Sequence, residues 1–420
     1  MTNRTTEITE GHSGLDRIYA GAATAIFAAI HAGARLVGVG ETALRQRRGE
    51  MPPCAAPCLW LHGASAGEMA AAANLVAILR DAGVRFAAAY TTTNDAGLRF
   101  IQSRLDSADV AALAPWDMPR WVGRACDAWR PLALVLIETE LWPGLIGAAA
   151  ARGIPVLCAS ARIYPRDVPR YRVIRRWLRP TLRRIDAVLA QSDQERARFV
   201  ALGAPPARCT TAGNLKHAVA VAADGARFRA AVGLDRDEPL IVIGSLHADE
   251  IEFAAAVVAR VQARVVIAPR HERATALIAG RGWRLTRRSH GPIGAARVLL
   301  LDTMGELNAA YAAATVAVVG GSFAPHGGHD LVEPVRAGAP VLFGRHTGHI
   351  AEADALRAAD VGTPDALAAC VAAWLADPAL RHGVQSRQRA VLPDTAAIAA
   401  RYLAALAPLL PQPLGTSVAK

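Results

Sequence analysis

Three segments of this chain place charged side chains directly after short apolar runs. The first, His62-Gly63-Ala64-Ser65-Ala66-Gly67-Glu68, follows the run 58–61 and leads into a helical pattern over 69–80. Small residues let a substrate approach the backbone, and a carboxylate delivered to the start of a helix is a candidate general base. The other role open to Glu68 is a favourable interaction with the helix dipole. The second segment, Glu138-Thr139-Glu140-Leu141-Trp142-Pro143, follows the run 133–137. If the strand continues, its two carboxylates point to opposite faces, one toward a ligand and one toward a structural partner. Glu138 is the candidate for the functional role, with capping as the alternative. The third, Gly213-Asn214-Leu215-Lys216-His217, holds Lys216, the one internal lysine beside the terminal Lys420. A compact ammonium there can offset charge on a departing phosphate.

The second half of the chain carries a different set. Pro269 and Arg270 follow the run 264–268, Asp302-Thr303-Met304-Gly305-Glu306-Leu307 follows 298–301, and Gly320-Gly321-Ser322 follows 316–319. Gly327-Gly328-His329-Asp330 and Glu333-Pro334 complete the last loop. Glycine-rich turns at helix starts offer amide hydrogens to phosphate, Arg270 can pair with it, and Glu333 can accept from ribose hydroxyls. The pattern points to a nucleotide-linked donor. No P-loop or spaced GxGxxG is present, which argues against a nucleoside triphosphatase or a dinucleotide oxidoreductase. Asp235-Arg236-Asp237 lies in a segment of weak periodicity and reads as solvated surface.

Parallel strands covered by crossover helices would position these groups. Runs at 58–61, 84–90, 133–137, 155–159 and 187–191, then at 240–243, 264–268, 298–301, 316–319 and 340–343, alternate with helix-length amphipathic stretches. That is the pattern of doubly wound α/β domains, in which ligands bind beyond the carboxyl ends of the strands. Gly153-Ile154-Pro155-Val156 and Gly338-Ala339-Pro340-Val341 each turn a helix into a strand. The expected layout is an N-terminal segment over 1–50, a first Rossmann-like domain over 51–218, a linker over 219–237, and a second domain with C-terminal helices over 238–420. A length of 420 residues fits two such domains.

With 52% hydrophobic and 20% charged residues, the chain is too apolar for disorder and too evenly charged for a multi-span membrane protein. Residues 18–34 lack formal charge and sit at the lower length limit for a bilayer span. Arg35, Arg45, Arg47 and Arg48 follow, so this segment reads as an anchor or a membrane-surface helix with the remainder in the cytoplasm, an ordinary buried alanine-rich helix being the alternative. The net charge of +11 is almost wholly guanidinium. Nine arginines lie within 162–184, among them Arg172, Arg176, Arg179 and Arg183 on one face of a helix interrupted near Pro180. Such a face suits lipid headgroups or an acceptor's phosphates. Nucleic acid is not expected, because no recognised binding fold accompanies it. The six cysteines show no paired spacing for a zinc site and read as reduced thiols.

Taken together, Ser65-Ala66-Gly67-Glu68, the 138–143 segment, Gly213-Asn214-Leu215-Lys216, the 302–307 segment and Gly320 through Pro334 resemble the 3-deoxy-D-manno-octulosonic acid (Kdo) transferases of lipopolysaccharide synthesis. The resemblance covers nearly the whole chain after the first ten or so residues. It implies a GT-B fold, with two Rossmann-like domains facing a cleft, and an N-terminal membrane anchor. It also implies inverting, metal-independent transfer of Kdo from CMP-Kdo to the phosphorylated lipid A precursor at the cytoplasmic face of the inner membrane. On this chain, Glu68 matches the family's proton acceptor, and Glu138 and Lys216 match positions assigned to transition-state stabilisation. Pro269, Arg270, Met304, Gly305, Glu306 and the stretch Asp330, Leu331, Val332 and Glu333 match its CMP-binding positions. Asp330 stands where the family commonly has asparagine, so its contact there departs from the pattern, as does His217 after Lys216.

Overall fold

The computed structural model describes residues 14–55, 57–218, 224–348, 350 and 352–409. They divide into two compact units, one formed by Met1–Val219 with Asp394–Lys420 and the other by Ala220–Pro393.

The first unit is built on a seven-stranded parallel sheet. Its strands are β1 (Cys58–Gly63), β2 (Ala87–Thr92), β3 (Val110–Leu113), β4 (Leu134–Ile137), β5 (Val156–Ala161), β6 (Ala187–Ala190) and β7 (Cys209–Thr211). They lie in the order β3-β2-β1-β4-β5-β6-β7. Alternate side chains feed two cores: Trp60, Leu134 and Leu136 pack on one face, and Leu59, Leu61, Val135 and Ile137 on the other. Burial on both faces explains why these strands are continuous apolar runs. The order reverses between β1 and β4, so their carboxyl ends flank the crevice where doubly wound sheets bind ligands.

The second unit repeats the plan with six parallel strands: β8 (Leu240–Leu246), β9 (Arg264–Pro269), β10 (Leu285–Arg287), β11 (Val298–Leu300), β12 (Val316–Val319) and β13 (Val341–Phe343). The order is β10-β11-β9-β8-β12-β13, reversing between β8 and β12. Gly338 takes φ +104° as the left-handed cap that turns the preceding helix into β13, the role expected of it.

Three strands escaped the sequence pattern, β3, β7 and β10, and all three are sheet edges. An edge strand is partly solvated, so it lacks the unbroken apolar run that marks a central one. The proposed linker also needs correction. Gly225–Val232 is a helix of the second unit, capped by Asp224, with Phe228 and Val232 buried four residues apart on one face. Residues 219–223 lie outside the described set. The C-terminal helix Thr395–Leu406, expected in the second domain, belongs to the first unit, where Ile398, Tyr402 and Leu406 enter the core that contains Leu61 and Ile137.

At the N-terminus α1 (Gly14–Leu36) forms over the predicted segment. Of the forms open to this segment, the spanning anchor is not supported: among the described residues no helix is long and apolar enough to cross a membrane. Its apolar content is mostly alanine and glycine, which contribute little hydrophobicity. One side packs on the body of the unit, with the Tyr19 hydroxyl donating to Asp117, Phe27 stacked on Trp116 and His31 tilted against Trp121. Ile26, Ile30 and Leu36 remain exposed. A short helix, α2 (Glu41–Arg47), leads from it to the sheet. In the arginine-rich segment the break falls at Ile174, between helices Val168–Val173 and Arg175–Arg183, while Pro180 sits inside the second. Leu178 and Leu182 anchor that helix; Arg172, Arg176, Arg179 and Arg183 are exposed.

Candidate active site

Glu68 lies in the first turn of α3 (Ala66–Asp81), where Ser65 is the N-cap. The Glu68 amide donates to Ser65 Oγ at 3.3 Å, and Glu68 Oε2 accepts from the Ser65 amide at 2.9 Å and from the Ala64 amide. This reciprocal box satisfies the open amides of the helix start and fixes the carboxylate. Oε1 takes no part in the box. Gly63 is required here, because a Cβ on it would come within 2.9 Å of Glu68 Cβ. Burial pushes the Glu68 carboxyl up, the charges of Glu140 and then Glu138 add to the rise, and the two amides only partly offset it, leaving it at about 7. The helix-start role weighed for Glu68 is thus present, and it does not preclude a raised carboxyl.

Strand β4 stops at Ile137, and Glu138 turns into the left-handed region at φ +59°. The alternation expected of a continuing strand therefore fails, and both carboxylates exert their charge on Glu68. Glu138 is buried, at 3% exposure, and its Oε1 accepts from Lys216 Nζ at 2.9 Å. Burial works to lower Lys216, but the Glu138 charge and hydrogen bond outweigh it and hold the ammonium protonated. The same ammonium approaches the first turn of α3, 3.6 Å from where a Cβ on Gly67 would lie. Glu140 has the structural partners anticipated for one member of the pair: Trp142 Nε1 donates to its Oε2 at 2.7 Å, and His62 Nε2 lies 3.3 Å from the same oxygen. Glu68, Glu138 and Lys216 thus meet at the β1/β4 switch point, drawn from segments 70 to 148 residues apart.

In the second unit the nucleotide-site candidates follow β9, β11 and β12. Strand order sets β11 beside β9 and β8 beside β12. Pro269 ends β9 and Arg270 is exposed, its amide donating to the Leu246 carbonyl at 2.9 Å. Met304 is fully exposed and Gly305 takes φ +86°. Glu306 is held by Arg288 Nη2 at 3.0 Å. Leu331 and Val332 are core side chains, so only their backbone is available to a ligand. Asp330 Oδ1 accepts from the amides of Val332 at 2.9 Å and Glu333 at 3.1 Å. An asparagine oxygen could make the same two bonds; the carboxylate adds a charge. Burial, and then that charge, push Glu333 up to about 7.

Glu250 organises this region and was missed from sequence. It is fully buried and accepts from the amides of His247 at 3.1 Å, Gly321 at 2.7 Å, Phe323 at 2.9 Å and Ala324 at 3.2 Å. It thereby ties the end of β8 to the glycine loop after β12. Its signal was present, since it too stands just beyond an apolar run. Among the described residues no three His, Cys, Asp or Glu side chains are grouped as metal ligands would be.

A family model described as 3-Deoxy-D-manno-octulosonic-acid transferase (kdotransferase) matches residues 42–219. The 3-deoxy-D-manno-octulosonic acid transferase of Bordetella pertussis is 34% identical over 377 residues, spanning 84% of this chain and 87% of that protein. The chain belongs to the Kdo transferase family. It is accordingly a glycosyltransferase that handles Kdo. The Haemophilus influenzae transferase is 29% identical over 302 residues, 69% of this chain and 71% of that protein. Among solved structures, UDP-GlcNAc 2-epimerase from Neisseria meningitidis superposes with a TM-score of 0.58 at 12% identity, covering 84% of this chain and 99% of that one. At that identity the likeness is one of fold, two parallel-sheet Rossmann-like domains.

Proposed function

We propose that this GT-B enzyme transfers Kdo from CMP-Kdo to the phosphorylated lipid A precursor, lipid IV-A, with inversion and with Glu68 as general base. The observation that carries the reading is a half-buried carboxylate, raised to about 7 and pinned by a capping box at the switch point, beside the Glu138–Lys216 pair. Glu68 takes the proton of the acceptor hydroxyl as its oxygen bonds to the anomeric carbon. The bond from that carbon to the phosphate oxygen breaks, and its electron pair leaves with CMP. In the first unit Lys216 is the group to offset charge on the departing phosphate, Arg270 and the loop amides of the second unit are the groups to bind the nucleotide, and no metal cofactor is proposed.

We place the enzyme at the cytoplasmic face of the inner membrane, with α1 on the surface of the bilayer rather than through it. The exposed Ile26, Ile30 and Leu36 of α1, and Val173, Ile174 and Trp177 set among exposed arginines, support contact with an anionic lipid surface. Product mass after incubation of detergent-solubilised protein with CMP-Kdo and lipid IV-A tests the reaction. Increments of whole Kdo units that vanish in Glu68→Ala are expected. No increment, where a known transferase works, would send the assignment to another nucleotide sugar.

A further inference from the structure

Beside the catalytic groups lies a buried polar chain with no assigned role. Trp60 Nε1 donates to Thr91 Oγ1 at 2.8 Å, and His62 Nδ1 lies 2.9 Å from the same hydroxyl. All three residues are buried. The indole can only donate, so the Thr91 oxygen accepts from it. Among the described residues the Thr91 hydrogen then has His62 Nδ1 as its acceptor. The imidazole with its hydrogen on Nε2 satisfies this contact, and Nε2 faces Glu140 Oε2 at 3.3 Å. Trp142 Nε1 donates to the same carboxylate oxygen. The chain therefore runs in one direction, Trp60 to Thr91 to His62 to Glu140, and ends on a carboxylate that receives two N–H groups. Those donors, led by His62, more than offset burial and hold the Glu140 carboxyl below its usual range.

We infer that His62 and Glu140 are positioning residues for the general base: the Thr91-oriented imidazole and the Trp142 indole hold the Glu140 carboxylate at the carboxyl end of β4, where its charge adds to burial in favouring proton uptake by Glu68. This rests on the reading of Glu68 as the base. Of the charges acting on Glu68, that of Glu140 is the largest and exceeds that of Glu138. Glu138 has the Lys216 ammonium as its partner at 2.9 Å, whereas Glu140 is held by the His62 and Trp142 ring nitrogens.

Other ionisable groups also face this cluster, among them the Arg162 guanidinium, which acts on Tyr164 and Lys216. Tyr164 from the loop after β5 and Tyr171 from helix Val168–Val173 are raised by burial, as is the Cys158 thiol on β5. Lys216 is raised as well, so the tyrosines and thiol stay neutral and the lysine charged between about pH 5 and 9. Asp117, which faces His62, is raised by burial though held by Tyr19 and the amides of Gly144 and Leu145.

The test is the pH profile of kcat/KM for the full chain with CMP-Kdo and lipid IV-A, in wild type, Glu140→Gln, His62→Phe and the double variant. Glutamine keeps an acceptor for Trp142 and His62, so Glu140→Gln preserves the fold; equal thermal midpoints would verify this. The wild-type acid limb is expected near 7. In Glu140→Gln it should move down by about half a pH unit or more, while the plateau falls about threefold or more because Glu68 becomes a weaker base. His62→Phe should shift the limb in the same direction, and should add nothing in the Glu140→Gln background, because it acts through that carboxylate. A limb that stays in place in Glu140→Gln overturns the proposal, as does an additive double variant. Glu68→Gln measured alongside separates the two readings: if it keeps wild-type activity, the base assignment itself fails. If it is inactive while the Glu140→Gln limb is unmoved, only the positioning role is lost.

Discussion

Replacing Glu68 by glutamine should abolish transfer and stabilise the protein, and the stabilisation should depend on pH. The carboxyl rises from 4.5 to about 7 on folding, and at about 1.4 kcal/mol for each pH unit this sets an upper limit of about 3.5 kcal/mol. Glu68 is partly solvated, so about 2 kcal/mol is the realistic figure. A folded-state value above the unfolded one means the contribution to stability is fully present below about 4.5 and is lost as pH rises through about 7. Above pH 8, then, the ionised carboxylate is a standing cost that a neutral isostere removes. Glutamine also serves at this position of a capping box, so the Ser65 and Ala64 amides keep their acceptor. Alanine forfeits the box, worth about 1 kcal/mol, and should gain correspondingly less. For a unit of this size about 2 kcal/mol corresponds to roughly 4–8 °C in thermal midpoint. The assay is thermal unfolding of wild type and Glu68→Gln at pH 8.5 and pH 5. A higher midpoint for the variant at pH 8.5 that closes at pH 5 is expected. Equal gaps at both values, or a destabilised variant at pH 8.5, would refute the electrostatic account of this carboxylate.

Other perturbations follow from the same geometry. Lys216→Met strands Glu138 as a buried charge without its cation and should cost about 1–3 kcal/mol, together with at least about a hundredfold loss of kcat, read by unfolding and product formation. Asp330→Asn keeps the cap on Val332 and Glu333 but removes the charge that helps raise Glu333 to about 7. The Glu333 carboxyl should fall and the pH dependence of KM for CMP-Kdo should move with it, toward lower pH. Glu250→Ala leaves the amides of Gly321, Phe323 and Ala324 without their acceptor. It should destabilise the second unit by about 2–4 kcal/mol and raise the donor KM more than it lowers kcat. Trp177→Ser, at a half-exposed position among arginines, should weaken binding to vesicles containing anionic lipid several-fold and leave turnover of a detergent-dispersed acceptor unchanged.

The parts of the fold legible in the sequence were those with burial on two faces. Strands such as β4, with all four residues buried, announce themselves as apolar runs, and the residues just beyond them are the ones a doubly wound sheet presents to ligands. That rule picked out Glu68, Glu138 and the loops after β9, β11 and β12 as candidates. It could not decide what a side chain does once the strand stops. The expectation that Glu138 and Glu140 face apart assumed extended backbone, which the left-handed φ of Glu138 interrupts. Conversely, the lack of charge over residues 18–34 left an anchor, a membrane-surface helix and a buried helix all open, because the partners of Phe27 and His31, Trp116 and Trp121, lie some ninety residues away in sequence. Local pattern contains no trace of them.

Least legible of all was the return of the chain to its first unit, and the Lys216 loop supplies a reason for it. Strand β5 shifts register between Ala159 and Ala161, and the residue at the break, Ser160, takes φ +53°. A left-handed serine costs about 1 kcal/mol or more, and bulges of this kind cluster beside functional sites because they re-aim side chains. Here the amide of Ser160 donates to the Tyr402 hydroxyl at 2.8 Å, and that hydroxyl donates to the Gly213 carbonyl at 2.8 Å. Ser160 Oγ in turn accepts from the Leu215 amide at 3.3 Å, while Asn74 of α3 donates to the Leu215 carbonyl at 3.0 Å. The loop that presents Lys216 is therefore clamped from three elements, and the outermost clamp comes from the C-terminal helix. Lys216 must hold an ammonium 2.9 Å from a buried carboxylate, a distance at which small displacements forfeit much of the attraction. A loop joined only to the edge strand β7 would not be rigid enough to keep it there. The helix Thr395–Leu406 therefore both completes the core of the first unit and clamps the loop that carries Lys216, so its deletion should destabilise that unit and impair transfer together.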